Sequence, residues 1–572
     1  MPAGERGLRP ELNNSPHQRR APGRSFLTGR RALCAGLALL ALLLAGLFVW
    51  RQPLRAWLVN LSGEKDLLPQ LKALGDVSAG LLRPAVQTAD LTPVQFAGVN
   101  PFGVNVFLEQ EVEPAKRERP MQMIAEAGFG WIRQQFPWED IEIHAKGDFT
   151  DRRNLDVHGE ISAWDKYDQI VALAGQYGLR IMVRLGGPMP AWSLPEGTDN
   201  RYTPPADLQD FVDYAVAVAT RYRGRIQHYQ IWNEPNLYPE WGEQTVNAEA
   251  YTDLLCRTYR ALKAVDPQIV VITGAIGPTI DLSGRNAYDV LYLQRMYQAG
   301  AGACFDVLSA QGYGLWSGPT DRRLRPTTIN FQRHLYLRDV MVANGDAHKP
   351  IWISEAGWNP VPDDPAIADL ERYGRVTMEQ AAAWAPLAYE RASEEWPWIG
   401  MIAWWYFKRA DDSERDQSWY YFRLVEPDFT PTPVYEALKA TMTGEEPQVL
   451  GAGRHGLAAR GVITSGPEGR ETHTFRVRGT AAYLCSEAGG FEVVPPTVVR
   501  EGPWGLGSTQ QWVGDPDQPV DPVVVVCAAA ELPQEWLRVI EGQDEDGEAV
   551  VLAHACLLYT SPSPRDRTRH RM

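Results

Sequence analysis

Two glutamates stand at the ends of short apolar runs and are separated by about 120 residues of chain. Glu234 lies in the stretch YQIWNEPN, where Pro235 stops the apolar run that leads to Asn233. Glu355 lies in the stretch PIWISEAGWN, where Gly357 breaks a second apolar run. Because one carboxyl group can donate a proton while another acts as a base or a nucleophile, this pair predicts a hydrolytic site.

The chain between residues 95 and 443 alternates short β-rich runs with longer amphipathic ones. Eight strands are predicted, at residues 103–108, 130–134, 180–185, 226–232, 269–273, 305–310, 351–354 and 399–405. Apolar positions at three- and four-residue spacing predict helices at 113–127, 164–177, 205–222, 247–265, 286–299, 328–343 and 377–395. Such alternation is typical of a (β/α)8 TIM barrel, an α/β fold whose functional side chains follow the carboxyl ends of the strands.

The same rule selects further polar and aromatic residues at the predicted strand ends. Arg133 follows the second strand, Tyr313 follows the sixth, and Trp404 and Trp405 end the eighth, where alternation allows only one of the two to face the cleft. The 20 tryptophans exceed what core packing usually requires, so they indicate either stacking on sugar faces or a tryptophan-rich core. The candidate platforms are Trp138, Trp192, Trp241, Trp316, Trp358 and Trp405. The four tryptophans predicted to bind substrate are Trp138, Trp358, Trp404 and Trp405.

The strings W-N-E-P-N, I-S-E-x-G-W and G-W-I-R-x-x-F-P-W resemble those of glycoside hydrolase clan A, and most of all family 39. That family includes xylosidases, iduronidases and bacterial exopolysaccharide hydrolases, and the resemblance covers about residues 97–440. It implies a retaining glycosidase with Glu234 as acid/base and Glu355 as nucleophile. It also implies that Asn233 holds the sugar 2-hydroxyl, that Arg133 braces the nucleophile, and that Tyr313 contacts it.

One motif departs from the pattern of the family. The sixth strand of these enzymes often ends in His-Pro-Tyr, whereas this chain reads Gln311-Gly312-Tyr313, so the tyrosine is kept and the histidine is not. In the implied mechanism Glu355, beside an arginine and a tyrosine hydroxyl, is the anionic nucleophile. Glu234 faces that anion in a partly dry cleft and is expected to be protonated near neutral pH. This mechanism requires neither a cofactor nor a metal.

The amino-terminal part of the chain predicts a membrane anchor. Residues 1–31 are rich in Arg, Pro, Gly and Asn and are expected to be disordered and cytoplasmic. Residues 32–50 carry no charge, and at ~1.5 Å per residue they are about long enough to cross a bilayer core of ~30 Å. The excess of arginine before this run places the remainder of the chain outside, on a stalk of residues 51–94. A buried core helix or a cleavable signal peptide is the alternative.

The sequence pattern of the carboxyl-terminal part changes after residue 443 and again after residue 555. Short valine-rich runs over residues 444–555 predict a β-rich accessory domain of the sandwich type. Residues 556–572 read CLLYTSPSPRDRTRHRM, which is typical of translated sequencing-adapter read-through, a genuine basic tail being the alternative. The six cysteines show no C-x-x-C spacing and are expected to be mostly free and buried. Cys485 and Cys527 form the candidate disulfide if this region lies outside the cytoplasm.

The charge and the motifs together indicate a carbohydrate substrate and argue against nucleic acid. The net charge of −15 argues against nucleic acid, since no basic surface dominates the chain. The expected protein is a single-pass enzyme of the cell membrane, with an extracytoplasmic catalytic region that acts on a poly- or oligosaccharide. Two other functions remain open: a non-catalytic glycan-binding protein, and a transglycosylase that works beside exopolysaccharide machinery.

Overall fold

The computed structural model describes residues 51, 53–55, 57–59, 61–64 and 66–444, and beyond them ten strands between residues 449 and 556. The predicted cytoplasmic segment 1–31, the predicted anchor 32–50 and the tail after residue 556 lie outside the described residues. Within the described part of the chain, no helix is long and apolar enough to cross a bilayer. The chain divides into two compact units, Met1–Trp57 and Leu58–Met572. The few described residues of the first unit are helical.

Eight parallel strands of the second unit confirm the predicted strand order. They are β1 Phe102–Val106, β2 Trp131–Pro137, β3 Arg180–Gly186, β4 His228–Ile231, β5 Val270–Ile272, β6 Leu308–Tyr313, β7 Ile351–Gly357 and β8 Ile399–Trp404. They pair in the order β5-β4-β3-β2-β1-β8-β7-β6. The sheet closes where the Asp306 amide donates to the Val271 carbonyl at 2.8 Å and the Thr273 amide donates to the Val307 carbonyl at 3.1 Å. The result is the expected (β/α)8 barrel.

Helices cover the barrel where the apolar periodicity predicts them. The described helices longer than one turn are α1 Leu67–Gly80, α2 Pro114–Glu126, α3 Asp165–Gln176, α4 Leu208–Arg221, α5 Ala248–Val265, α6 Asp289–Gln298, α7 His334–Ala343, α8 Met378–Glu395 and α9 Pro433–Met442. A capping box between Thr377 and Gln380 fixes the start of α8. Helix α7 begins later than predicted because Arg333 donates to the carbonyls of Pro326 and Thr328 and folds that stretch into a loop.

The interior of the barrel has an apolar floor at the amino-terminal end of the strands. Trp131 meets the His228 ring edge-on at a centroid distance of 4.7 Å, and Trp352 stacks on the same ring at 5.5 Å. Burial lowers the pKa of His228 to about 3, with Arg180 acting in the same direction, so this histidine is a neutral packing residue. Polar side chains therefore collect in the layer above, toward the carboxyl ends of the strands.

The segment predicted to be a stalk contacts the barrel over much of its length. Arg325 donates to Asp76 of α1 at 2.5 Å, and the Trp398 indole donates to Asp90 at 2.9 Å. The guanidinium of Arg338 donates to the carbonyl of Thr88 at 2.8 Å. Residues from α1 to about residue 95 therefore lie along the barrel and do not stand away from it.

The strands after residue 444 form small sheets. They are β9 Val449–Leu450, β10 Gly453–Gly456, β11 Val462–Ser465, β12 Glu471–Arg478, β13 Ala481–Cys485, β14 Glu492–Glu501, β15 Gly505–Val513, β16 Val523–Cys527, β17 Leu537–Gln543 and β18 Ala549–Cys556. One sheet has the order β9-β12-β15-β14 with β11 beside β12, a second has the order β10-β16-β13, and β17 pairs with β18. The region is β-rich, as its valine-rich runs indicate.

The structure contradicts the candidate bridge between Cys485 and Cys527. Cys485 pairs with Val523 and Cys527 pairs with Ala481, so the two cysteines stand at opposite ends of the β13–β16 ladder. Four residues at ~3.3 Å each separate them by about 13 Å, which is too far for a bridge. Cys256 and Cys304, which the sequence analysis did not pair, form a disulfide with a Cα–Cα distance of 4.8 Å. It joins α5 to the turn that follows α6.

Candidate active site

Arg133 on β2 is the cation around which the polar side chains at the carboxyl end of the barrel are arranged. It is 3% exposed. Its guanidinium donates to Glu355 Oε1 at 2.6 Å, Asn105 Oδ1 at 2.8 Å, Gln230 Oε1 at 2.7 Å and Asn233 Oδ1 at 2.7 Å. Because charge-assisted hydrogen bonds are directional, one guanidinium fixes the orientation of side chains from three strands and from the loop after β4.

Glu355 lies within β7, and both of its carboxylate oxygens have a donor. Oε1 accepts from Arg133, and Oε2 accepts from the Tyr313 hydroxyl at 2.7 Å. Desolvation raises the pKa of Tyr313 well above its ordinary value, and the neighbouring carboxyl groups of Glu355 and Glu234 raise it further. Tyr313 is therefore a proton-bearing donor at physiological pH, and Glu355 is an anchored carboxylate.

A turn in an uncommon backbone conformation follows β4. Trp232 has a φ of 77°, which a bulky side chain rarely adopts. Its amide donates to the Leu185 carbonyl at 2.7 Å, and its indole donates to the Glu240 carbonyl at 2.7 Å. These bonds hold the turn, and the turn carries Asn233 and Glu234 off the end of the strand.

Glu234 has the opposite environment to Glu355. Desolvation raises the pKa of its carboxyl group well above the ordinary value, and the nearby Glu355 and Glu240 raise it further, while Arg133 and Gln311 oppose the rise more weakly. Desolvation and the neighbouring carboxyl groups both favour the protonated form of Glu234. The loop after β5 packs tightly here: a Cβ at Gly277 would overlap Leu237 Cδ1 and would lie 2.9 Å from Glu234 Oε1, so a larger residue would displace these side chains.

The second asparagine of the W-N-E-P-N string, Asn236, holds the loop that carries Glu234. It is fully buried. Its Nδ2 donates to the Gly277 carbonyl at 2.8 Å, its Oδ1 accepts from the Gly277 amide at 2.9 Å, and its carbonyl accepts from the Ala287 amide at 2.9 Å. Asn236 thus joins the loop after β4 to the chain that follows β5. Sequence reasoning assigned it no role.

A buried polar chain runs beneath the two glutamates. Gln230 Nε2 donates to Ser309 Oγ at 2.8 Å, Ser309 Oγ donates to Ser354 Oγ at 2.8 Å, and Ser354 Oγ donates to Gln311 Oε1 at 3.1 Å. The sequence analysis missed Gln230, Ser309, Ser354 and Asn105, and it noted Gln311 only as a departure from the family pattern. The available signal was a polar residue inside an otherwise apolar strand, which a barrel interior accepts only when it is hydrogen-bonded.

Three of the four tryptophans predicted to bind substrate lie in the core. Trp138 is fully buried, stacks on Tyr214 at 5.4 Å and donates to Glu142 at 2.6 Å. Trp358 and Trp404 are each 1% exposed, and their rings lie 6.1 Å apart. Rings without an accessible face offer no platform for a sugar, so the structure gives these three a packing role. Trp405 keeps part of its surface exposed.

Tyr373, in the loop between β7 and α8, is an aromatic residue that the sequence did not single out. Desolvation raises its pKa, Arg372 opposes the rise, and the charges of Glu234 and Glu355 add to it. Phe422 contacts the rings of Tyr313 and Tyr373 at 5.6 and 6.1 Å. The three rings form one aromatic cluster, which reaches Glu355 through the Tyr313 hydroxyl. A loop residue such as Tyr373 carries no periodic signal in sequence.

Comparison with known proteins gives one short sequence match and a set of structural similarities. No family model matches the chain. A segment of 89 residues is 38% identical to Protein Rv2133c of Mycobacterium tuberculosis (strain ATCC 25618 / H37Rv). The match covers 14% of this chain and 32% of that protein, so this chain spans about a third of the length of the curated relative.

The similar solved structures include several described as glycoside hydrolases of family 39. One, from Bacteroides cellulosilyticus WH2, is 18% identical with a TM-score of 0.44, over 74% of this chain and 82% of that one. A β-xylosidase from Caulobacter crescentus is 15% identical with a TM-score of 0.42, over 70% and 84%. An enzyme from Xanthomonas axonopodis pv. citri is 16% identical with a TM-score of 0.43, over 78% and 97%. Identity and TM-score are low in each case, so the function is argued from the site itself.

Proposed function

We propose that the chain is a retaining glycoside hydrolase with Glu234 as the acid/base and Glu355 as the nucleophile. The observation that carries the proposal is the unlike environment of the two carboxyl groups. Glu355 accepts hydrogen bonds from Arg133 and Tyr313 and suits an anion, whereas Glu234 is desolvated beside that anion and keeps its proton. Hydrolysis of a glycosidic bond requires two carboxyl groups that differ in this way.

The reaction proceeds in two displacements. In the first, a Glu355 oxygen bonds to the anomeric carbon while the bond to the leaving oxygen breaks and Glu234 transfers its proton to that oxygen. In the second, Glu234 is a carboxylate and takes a proton from water. The water oxygen then bonds to the anomeric carbon as the ester to Glu355 breaks, so the starting anomeric configuration is restored.

Asn233 supplies a hydrogen bond to the sugar in this scheme. Its Oδ1 accepts from Arg133 at 2.7 Å, and its Nδ2 donates to Glu240 at 2.9 Å, so the orientation of the amide is fixed. An amide nitrogen carries two hydrogens, and the second remains available for the 2-hydroxyl of the substrate. This supports the role that the resemblance to family 39 implies for Asn233.

The proposed substrate is a poly- or oligosaccharide at the cell surface. The Cys256–Cys304 disulfide supports a location outside the cytoplasm, because disulfides persist in oxidising compartments. The uncharged run of residues 32–50, which lies outside the described residues, supports attachment to the membrane. The β-rich region and the membrane run together suit an enzyme held near its polymeric substrate.

The test is a screen of the purified full-length protein against chromogenic glycosides and exopolysaccharides. We expect turnover of at least one substrate, with loss of that turnover in a Glu355→Gln control. Proton NMR of the first product formed shows its anomeric configuration directly, and the proposal predicts retention. Inversion, or equal turnover by the Glu355→Gln protein, would overturn the assignment.

A further inference from the structure

Glu240 is a third carboxyl group at the site; no motif includes it, and it takes part in neither of the two displacements. It lies on the loop after β4, six residues beyond Glu234. Its Oε1 accepts from Asn233 Nδ2 at 2.9 Å, and its carbonyl accepts from the Trp232 indole at 2.7 Å. Backbone and side chain are both fixed, so the carboxyl group has a defined position relative to Asn233.

We propose that Glu240 is a positioning residue for the acid step: its carboxylate orients the Asn233 amide toward the sugar, and its negative charge keeps the proton on Glu234. This inference rests on the proposed function. Asn233 is held from two sides, with a guanidinium on its oxygen and Glu240 on its nitrogen. Without Glu240 only one side remains, and the amide is free to rotate away from the 2-hydroxyl.

The electrostatic part of the proposal depends on which carboxyl group ionises first. Desolvation raises the pKa of Glu240 as well, but Arg184 and the Asn233 amide stabilise its charged form, and the rise is smaller than for Glu234. Arg184 and the Asn233 amide thus favour the anionic form of Glu240, which is the form that the proposal requires. Replacing Glu240 with a neutral residue removes a charge that disfavours ionisation of Glu234.

The remaining charged and titratable groups around the two carboxyls stay in place in such a variant. Those that act on Glu234 or on Glu240, or that feel their charge, are Arg133, Arg184, Tyr202, Tyr313, Glu355 and Tyr373. Arg133, Tyr313 and Glu355 take part in the proposed reaction. Glu240 acts on Glu355 through the Coulombic interaction between their charges. A change confined to Glu240 therefore reports its own contribution.

The first measurement is the pH dependence of kcat/KM for the full-length protein and two variants, Glu240→Gln and Glu243→Gln. Glu240→Gln preserves shape and can still accept from Asn233, so it changes charge alone. We expect the alkaline limb, which reports ionisation of the acid, to move to lower pH in this variant. Glu243 lies on the same loop with its side chain 58% exposed, and Glu243→Gln is expected to superimpose on the parent profile. Equal shifts in both variants, or none in Glu240→Gln, would overturn the inference.

The second measurement does not need turnover. Carbon-13 NMR of glutamate labelled at the carboxyl carbon follows titration of Glu234, whose signal is assigned by its loss in Glu234→Gln. We expect a lower titration midpoint for Glu234 in the Glu240→Gln protein, and an unchanged midpoint would refute the electrostatic role. A protein without glycosidase activity would sink the proposed function, yet this titration would still decide the role of Glu240.

A third variant, Glu240→Asp, separates orientation from charge. The shorter side chain keeps its charge but withdraws from Asn233, so we expect the alkaline limb to stay in place while kcat/KM falls about 10- to 100-fold, the range found for small misplacements. Full kcat/KM in this variant would contradict the orienting role. Circular dichroism of each variant shows whether it is folded, and the aspartate variant still tests the orienting role if the glutamine variant does not fold.

Discussion

Two buried arginine–carboxylate pairs of this barrel are used differently. Arg333 and Asp289, between α6 and α7, are 2% and 1% exposed in their side chains, and Arg133 and Glu355 are 3% and 6% exposed. Arg333 binds Asp289 with two parallel hydrogen bonds of 2.5 and 2.7 Å, so that both carboxylate oxygens face one cation. Arg133 donates one hydrogen bond to Glu355, and its other hydrogen bonds go to the side-chain amides of Asn105, Gln230 and Asn233.

Under the proposed function, the difference separates a structural ion pair from a reactive one. In a bidentate pair both carboxylate oxygens are hydrogen-bonded to the same guanidinium, so neither is available to react. In the site, the second oxygen of Glu355 meets only a phenol, Tyr313, and remains available to a reacting carbon. Burial alone therefore does not distinguish the proposed nucleophile from a structural carboxylate. The distinction is that the two oxygens of Glu355 accept from different donors, Arg133 and Tyr313.

Replacing Arg133 with Met should have the largest effect of the changes that test this comparison. The variant leaves Glu355 without its cation and frees Asn233 and Gln230, so we expect kcat/KM to fall about 100- to 1,000-fold. Unfolding free energy should drop by about 3–5 kcal/mol, because a buried charge loses its partner. Steady-state kinetics and urea denaturation measure the two losses. A stable, fully active Arg133→Met protein would show that the pair is neither structural nor catalytic.

Replacing Arg333 with Met should cost similar stability without the loss of activity. We again expect about 3–5 kcal/mol from the unpaired Asp289 carboxylate, while kcat/KM of the folded protein stays within about twofold of the parent. The matched variant Asp289→Asn with Arg333→Met removes both charges and should recover part of the stability. If Arg333→Met were to lower kcat/KM as strongly as Arg133→Met, the two pairs would not differ in role.

Tyr313→Phe removes only the hydroxyl that donates to Glu355 at 2.7 Å. A hydrogen bond to a charged group is worth about 1.5–3 kcal/mol, so we expect kcat/KM to fall roughly 10- to 100-fold. The change in unfolding free energy should be small, because the ring keeps its contact with Phe422. Steady-state kinetics and thermal unfolding would show a loss of kcat/KM with little loss of stability. Undiminished kcat/KM would show that the Tyr313 hydroxyl has no role in the reaction.

The pH dependence of stability gives the smallest predicted effect. Since the folded pKa of Glu234 is raised, its contribution to stability is fully present below its unfolded value and is lost as pH rises through the folded value. Glu234→Gln abolishes this loss. The variant should therefore be more stable than the parent above about pH 4.5. The gain in unfolding free energy is about 1.4 kcal/mol for each pKa unit by which the folded-state pKa of Glu234 exceeds its unfolded-state pKa. Urea titrations between about pH 4 and pH 8 test this, and a constant difference would contradict it.

The fold and the centre of the site were predictable because they depend on local patterns. Each strand and helix of the barrel carries its own apolar periodicity, and the order of the elements follows from the chain. Arg133, Asn233 and Tyr313 were found because they belong to strings that surround strand ends. The structure brings all three into contact with each other or with Glu355.

Other features depend on contacts between distant parts of the chain. The Cys256–Cys304 bridge and the roles of Asn236 and Glu240 follow from how loops meet, and no local pattern reports that. The tryptophans show the same limit, because an indole that suits a sugar also suits a core. Trp358 and Trp404 are enclosed by neighbouring aromatic rings, which only the packed structure reveals.

The most direct test of the account is chemical rescue of the nucleophile. In a Glu355→Ala protein, turnover of an activated aryl glycoside should fall to background. Added azide or formate should restore part of it, and azide should give a glycosyl azide of inverted anomeric configuration, because the small anion takes the place of the carboxylate. Undiminished turnover in Glu355→Ala would contradict the account.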